Sequence, residues 1–299
     1  MESLTMSPRA READQKAGRA AAADRGRRAR HAVGHTIVYL VLAVMALFCV
    51  VPFVWVLLGS VDAHASVYLR GPNWTLHNFV EFFTQSGTPQ LLVNSIVIAG
   101  GGTILCIVLA MFSGYAFSRF RFPGRRTVLF GILLIRVIPP TATIAPLYVL
   151  VLDLHLNNSY LGIILVEAAF NLPLAIWLLK GFFDAIPPSL EEAAAVDGAS
   201  RWSAACRVVF PLALPGLGAA ALFTFISIWG DFLTPLVLLQ SPNLFPISIG
   251  LFQAYVGFNE VKWGLLTATA VIYMIPTVLM YLLVRRYLLR ATLSGALKG

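Results

Sequence analysis

Hydrophobic residues fill most of this chain, in six long runs that short polar linkers separate. The runs cover residues 36–58, 91–117, 127–152, 159–183, 208–239 and 265–289. Each run has the roughly 20 apolar residues that an α-helix needs to cross the hydrocarbon core of a bilayer. The pattern therefore predicts an all-α integral membrane protein, with six transmembrane helices in a membrane domain at residues 35–290.

Basic residues are concentrated in alternate linkers. Those that follow the second and sixth runs are Arg119, Arg121, Arg125, Arg126, Arg285, Arg286, Arg290 and Lys298. Positively charged residues mark the cytoplasmic ends of membrane helices. We therefore expect a multi-pass membrane protein, in contact with its lipids, with both termini and the polar segment 184–210 in the cytoplasm.

The composition agrees with a membrane protein. Hydrophobic residues make up 58% of the 299 residues and charged residues only 12%, against about 25% charged residues in soluble domains. The net charge of +8 comes from short blocks beside the apolar runs, so it indicates membrane orientation and no nucleic-acid partner. Residues 1–34 carry eight Lys or Arg and four acids, which predicts a disordered basic tail.

The polar segment 184–210 is typical of a helix-turn-helix. Ser189 is a good N-cap, and Glu192 three residues later completes a capping box. Gly198 is suited to end this helix, because glycine readily takes the left-handed backbone conformation. A second short helix is predicted from Ser200, with Trp202 on its apolar face.

At these residues the chain resembles the membrane-spanning permease subunits of ATP-binding-cassette (ABC) importers. Their EAA loop reads Glu-Ala-Ala, three residues, Gly, nine residues, then Ile-x-Leu-Pro. The matching stretches here are Glu192-Ala193-Ala194, Gly198 and Val208-Val209-Phe210-Pro211. The longer form from Glu192 to Ala199 resembles the carbohydrate branch, of maltose-transporter type.

The resemblance implies a type I importer fold in the bacterial cytoplasmic (inner) membrane, in which the polar segment 184–210, which we call the coupling loop, contacts a separate ATPase. The residues implied in this contact are Glu191, Glu192, Ala193, Ala194, Asp197, Gly198, Ala199, Trp202 and Pro211. The C-terminal tail 291–299 resembles the end of the maltose-type subunit, which reaches into the ATPase dimer interface. Its implied contact residues are Ala296, Leu297, Lys298 and Gly299.

Three ionisable residues lie inside the apolar runs: Arg136, Glu167 and Asp231. Charges within the membrane are costly and normally have a partner or a function. On straight helices, Arg136 and Glu167 would lie at depths of about 14 Å and about 12 Å from opposite surfaces. Across a core of about 30 Å their levels would nearly coincide, so we predict an ion pair between them in preference to a contact with substrate.

Asp231 belongs to the stretch Trp229-Gly230-Asp231-Phe232, which resembles the Trp-Asn-Asp/Glu-Phe stretch of sugar permeases, except that Gly230 replaces Asn. Gly230 and Pro235 favour a break in this helix, and free backbone groups at membrane depth are tolerated where they line a cavity. We therefore expect Trp229, Asp231 and Phe232 on the translocation path. The alternative for a tryptophan near a span end is an anchor at the membrane interface.

The resemblance implies half of a translocation path for a carbohydrate delivered by an extracytoplasmic binding protein. It also implies a homologous second permease and a dimer of ATPase subunits, which would bind ATP and Mg²⁺. No Walker sequence occurs in the chain, so no cofactor is expected in it. Neither metal-ligand spacing nor a catalytic nucleophile with its base is present, which disfavours an enzyme. The alternatives are an importer of glycerol phosphate, polyamines or another small solute, and an ion-coupled secondary transporter.

Overall fold

The computed structural model of this protein describes residues 35–68, 71–85, 87–256 and 261–296. Within these ranges no strand occurs, and one isolated antiparallel bridge joins Asp62 to Trp74. The helices, in chain order, are α1 (His35–Ser60), α2 (His77–Thr84), α3 (Thr88–Arg119), α4 (Arg125–Ile135), α5 (Pro140–Asp153), α6 (Tyr160–Asp184), α7 (Ser189–Val196), α8 (Arg201–Leu212), α9 (Leu214–Gly230), α10 (Leu233–Leu238), α11 (Ile247–Val256) and α12 (Trp263–Ala296).

Among the described residues, four helices are long and apolar enough to cross a membrane alone, namely α1, α3, α6 and the first part of α12. Two further spans are bent pairs: α4 and α5 meet at 97°, and α8 and α9 meet at 70°. Counting each bent pair once gives six spans, the number in the hydrophobic pattern. The fifth run, expected as one span with a break, is further divided between α9 and α10.

Two consecutive prolines explain the bend between α4 and α5. Pro139 has an extended backbone, with ψ of 137°, and Pro140 is the first residue of α5. Proline has no backbone N–H to continue a helix, and it forces the residue before it into an extended conformation. These prolines therefore end α4 and turn the chain sideways.

The helix α1 is described here by itself, because its residues up to 56 belong to a separate compact unit of the chain. Its apolar side chains are exposed from His35 to Phe53. An apolar surface of this length suits a helix that faces lipid or another protein, since water would make its exposure costly.

The centre of the second unit is formed by α3 and α6, which pack along each other, and α9 packs against α3, α6 and α12. Small residues allow the close approach. A Cβ at Gly114 would lie 3.2 Å from the backbone nitrogen of Lys180, and one at Gly216 would lie 2.3 Å from Cγ of Phe182. Glycine at helix interfaces lets two backbones come together in a membrane, where packing drives association.

Candidate functional site: the coupling loop and a central cavity

Gly198 forms the turn of the coupling loop as expected. Its φ is +83°, and the space around a Cβ at this position is open to at least 4 Å. The Gly198 N–H donates to Ala195 O and the Ala199 N–H donates to Ala194 O, each at 3.0 Å. These two bonds form a Schellman motif, which satisfies the last carbonyls of α7. Backbone conformation, and not lack of space, is therefore what favours glycine here.

The capping box predicted at the start of α7 is wrong. Ser189 is the first residue of the helix, and no side chain makes a capping hydrogen bond there. Pro188, with φ of −59°, takes the N-cap position, and its carbonyl accepts from the N–H groups of Glu191 and Glu192 at 2.9 and 3.1 Å. The fixed φ of proline already matches a helix, so the first turn starts one residue early.

Glu191 lies against the membrane helices instead of on a docking surface. Its carboxylate forms an ion pair with Arg119 and accepts a hydrogen bond from the Tyr115 hydroxyl at 2.8 Å. Arg119 also donates to the carbonyls of Phe183 and Ile186, at 3.0 and 2.9 Å. One guanidinium therefore ties together the end of α3, the end of α6 and α7. Sequence reasoning gave Arg119 only a role in orientation and missed Tyr115, because nothing local points to either contact.

The second helix of the coupling loop begins as predicted. Ser200 is its N-cap, and the Ser200 hydroxyl accepts from a backbone N–H three residues later at 3.2 Å. Ala205 and Val209 are fully buried on one side of it. Trp202 is 56% exposed and stacks on Phe112 of α3, with ring centroids 5.7 Å apart. This helix is thus held to the membrane helices by apolar contacts along one side.

The remaining predicted contact residues divide by exposure. Those that are exposed are Glu192, Ala193, Asp197, Gly198, Trp202 and Pro211. Ala194 and Ala199 are partly buried. Val196, which the motif did not include, is 87% exposed beside them. The outward surface of α7 is therefore built from short side chains with a carboxylate at each end.

The predicted ion pair between Arg136 and Glu167 is wrong. Both side chains are described, and no ion pair joins them; Arg136 donates instead to the carbonyl of Phe170 at 3.1 Å. The depth argument assumed that the third span is straight. The bend of 97° follows Arg136, and the two residues do line one cavity, but similar depth does not set where their side chains point.

Glu167 lies beside Asp231 instead. The two carboxyl groups are neighbours on the wall of one cavity. Glu167 is only 2% exposed, and its Oε1 has no hydrogen-bond partner among the described residues. Asp231 Oδ1 accepts from the N–H groups of Leu233 and Thr234 at 2.9 and 3.4 Å, and Oδ2 accepts from the Thr234 hydroxyl. Asp231 therefore holds the start of α10, immediately after the predicted helix break.

Both carboxyl groups line a cavity of about 410 Å³. It lies where the bend between α4 and α5 meets α6 and the break between α9 and α10. Its polar lining includes Arg136, Glu167, Asn171, Ser227, Asp231 and Thr234. Irregular backbone at membrane depth is tolerated where it lines such a cavity. The bend between α4 and α5 and the break between α9 and α10 both lie at this cavity.

The structure separates the three residues expected on the translocation path. Asp231 lines the cavity, whereas Trp229 is 4% exposed and packed between helices. Its ring stacks on Phe225 and Tyr273, its Nε1–H donates to the Tyr273 carbonyl, and the Tyr273 hydroxyl donates to the Trp229 carbonyl, both at 3.0 Å. The ring of Phe232 packs against that of Phe252, with the ring centroids 4.8 Å apart. The expectation for Trp229 is therefore corrected, because a side chain enclosed in this way cannot face a path.

Two predicted segments cannot be compared with the structure. The basic tail at residues 1–34 lies outside the described residues. Ala296 ends α12, and Leu297, Lys298 and Gly299 lie outside the described residues. Within the part of the chain that is described, no group of three or more His, Cys, Asp or Glu side chains could hold a metal ion.

Residues 106–292 match the family of the binding-protein-dependent transport system inner membrane component. The trehalose/maltose transport system permease protein MalG of Thermococcus litoralis is 33% identical over 263 residues, which are 85% of this chain and 94% of that protein. The diacetylchitobiose uptake system permease protein NgcG of Streptomyces coelicolor is 30% identical over 290 residues, 95% of this chain and 93% of that protein.

The fold also matches a solved structure. A chain of a bacterial ABC transporter involved in the import of the acidic polysaccharide alginate superposes with a TM-score of 0.75 and 24% identity. The match covers 86% of this chain and 96% of that chain. At this identity the likeness shows the fold alone.

Proposed function

We propose that this chain, which belongs to the family of the binding-protein-dependent transport system inner membrane component, forms half of the transmembrane path of a carbohydrate importer. A homologous permease would form the other half. An extracytoplasmic binding protein would deliver the sugar, and a separate ATPase dimer would bind ATP and Mg²⁺. The sugar cargo is supported by relatives named for trehalose, maltose and diacetylchitobiose uptake.

One observation supports the coupling role: the inner side of α7 is bonded to the membrane helices α3 and α6, whereas its outer side is exposed. The Arg119–Glu191 pair and the Arg119 bonds to Phe183 and Ile186 hold the inner side. Short side chains, among them Ala193 and the exposed Val196, form the outer side. A groove on an ATPase could receive such a surface closely, and its movement would then pass to α3 and α6 as a rigid body.

The same contact supports the orientation that we propose. Arg119 joins the coupling loop, so the basic stretch that continues through Arg121, Arg125 and Arg126 lies on the side of that loop. Four arginines near two span ends favour the cytoplasmic side. Both termini would then also be cytoplasmic, since an even number of spans separates them.

Reconstituted transport tests this function. The complex would be purified through a tag on this chain, its subunits identified by mass spectrometry, and its uptake of labelled maltose, trehalose and diacetylchitobiose measured in proteoliposomes. We expect uptake that requires both ATP and the binding protein. ATP-independent uptake driven by a sodium or proton gradient would contradict the importer assignment. ATP-driven uptake of glycerol phosphate or a polyamine, without any of the sugars, would retain the importer but overturn the cargo.

A further inference from the structure

We propose that the cavity between α5, α6, α9 and α10 is a binding subsite for a hydroxyl-bearing ring of the transported sugar, with Glu167 as the acceptor that a sugar hydroxyl satisfies. This proposal rests on the transport function above and adds a specific contact within this subunit. It depends on three features: an unsatisfied buried carboxyl oxygen, a mixed set of donors and acceptors, and a cavity of suitable size.

The unsatisfied oxygen is the strongest of these features. Glu167 is 98% buried, lines the cavity, and leaves Oε1 without a hydrogen-bond partner among the described residues. Buried polar atoms in native proteins nearly always have a partner. A ligand that enters the cavity and donates a hydrogen bond would remove this deficit, so the arrangement favours the occupied cavity.

Asp231 does not provide the missing donor. Its two oxygens already accept from the N–H groups of Leu233 and Thr234 and from the Thr234 hydroxyl. It therefore presents a second group of acceptors beside Glu167. Two carboxyl groups in contact repel each other when both are charged, and a hydrogen-bond donor placed at the pair lowers this repulsion.

The positive charge of Arg136 favours a ligand that carries hydroxyl groups over a simple cation. The guanidinium has five N–H donors, and one protein acceptor for them, the Phe170 carbonyl, is present in the described structure. A hydroxyl group both donates and accepts, so one sugar ring could use the carboxyl oxygens and the guanidinium together. A bare cation would be repelled by Arg136, which lines the same cavity.

Size and apolar lining fit the same ligand. A volume of about 410 Å³ lies within the roughly 300–1,000 Å³ of small-molecule sites. Ile135, Ile138, Phe170 and Pro173 add apolar surface to the polar groups. The C–H faces of a sugar ring can pack on such side chains while its hydroxyls reach the carboxyl groups.

Glu167→Leu in the assembled complex is the first test, because leucine has similar bulk and removes both oxygens. Thr103→Val is the matched control: Thr103 Oγ1 is the other buried side-chain oxygen without a partner in the described residues, and Thr103 does not line the cavity. We expect ATP-driven sugar uptake to fall about fivefold or more in Glu167→Leu, as when a buried hydrogen-bonding group loses its partner. Uptake by Thr103→Val should equal that of the unaltered complex.

A cysteine-protection measurement covers the case in which Glu167→Leu does not assemble. Ser227→Cys would place a thiol on the cavity wall in a chain whose exposed Cys49 and Cys206 are replaced by serine. The purified complex would be labelled with a small methanethiosulfonate reagent, with and without maltose, trehalose or diacetylchitobiose. We expect at least one of these sugars to slow labelling several-fold.

The outcomes separate this proposal from the proposed function. Absence of ATP-driven uptake in the unaltered complex would count against the function, whereas sugar protection of Ser227→Cys can be measured without uptake. Full uptake by Glu167→Leu, or labelling that no sugar slows, would overturn the subsite while leaving the importer intact. Labelling that changes when sodium replaces choline, but not with sugars, would assign the cavity to a cation and overturn the sugar proposal.

Discussion

The carboxylate of Glu191 pairs with the guanidinium of Arg119, although 72 residues separate them in the chain. Their side chains are only 17% and 13% exposed, respectively. The pair connects the first turn of α7 to the last residue of α3, so it sets the position of the coupling loop relative to the membrane helices. A contact of this kind makes the loop part of the rigid body, and its removal can be tested.

Arg119→Met should loosen the coupling loop. It leaves Glu191 as an unpaired, largely buried charge, which typically costs about 3–5 kcal/mol. We expect a lower Tm of the purified complex and less sugar uptake per ATP hydrolysed. Adding Glu191→Gln should restore part of the Tm, since no charge is then left without a partner.

The i, i+4 pair of Lys180 and Asp184 provides the control for this experiment. It is more exposed, with Asp184 at 42%, and lies at the end of α6. Exposed pairs of this type contribute about 0.3–0.5 kcal/mol. Lys180→Met should therefore leave Tm and uptake nearly unchanged, and an effect as large as that of Arg119→Met would remove the special role given to the Glu191 pair.

Gly198→Val should impair ATPase coupling without preventing membrane insertion. An L-residue in the left-handed conformation costs roughly 1–2 kcal/mol, and Gly198 has φ of +83°. The strain should redirect α8, whereas the membrane helices keep their internal hydrogen bonds. We expect normal assembly with the partner permease and reduced co-purification of the ATPase that we propose as partner.

Gly131→Val is the matched substitution for Gly198→Val. Gly131 lies in α4 without a positive φ, and a Cβ there has open space to at least 4 Å. Its effect on ATPase binding should be small. Full ATPase binding and normal uptake by Gly198→Val would mean that the turn at Gly198 is not needed to couple the ATPase to transport.

The carboxyl pair in the cavity should show energetic coupling in a double-mutant cycle. Residues in contact typically couple by about 0.5–3 kcal/mol, whereas separate residues add within about 0.5 kcal/mol. Glu167→Gln and Asp231→Asn should therefore be non-additive in their effects on Tm. Arg136→Met and Glu167→Gln should couple more weakly than this pair, because the Arg136 guanidinium bonds to the Phe170 carbonyl although both residues line the cavity. Strong coupling between Arg136 and Glu167, with none between Glu167 and Asp231, would instead support the ion pair predicted from the sequence.

Trp229 should behave as a packing residue. Trp229→Ala should destabilise the complex by about 3–5 kcal/mol, as for a large aromatic residue removed from a core, since the ring stacks on Phe225 and Tyr273. Trp229→Phe retains most of the packing, and we expect uptake near that of the unaltered protein with a small loss of Tm. A change in which sugars Trp229→Phe transports would instead place this side chain on the path.

Several features of this protein follow from its sequence alone. The apolar runs, the bend at Pro139–Pro140, the turn at Gly198 and the N-cap at Ser200 all agree with the structure. Each depends on neighbouring residues only: hydropathy sets a span, proline removes a backbone donor, and glycine permits a positive φ. The motif around Glu192 similarly identified the family, because its spacing lies within one short segment.

The partners of the charged and aromatic side chains were decided by the tertiary structure. Glu167 meets Asp231 and not Arg136, and Glu191 turns inward to Arg119. The first pairing depends on how the helices are directed after the 97° and 70° bends, and the second on the packing of α7 against the ends of α3 and α6. The sequence marks where the chain must turn; which side chains then meet in the cavity is determined only when all of the helices are packed together.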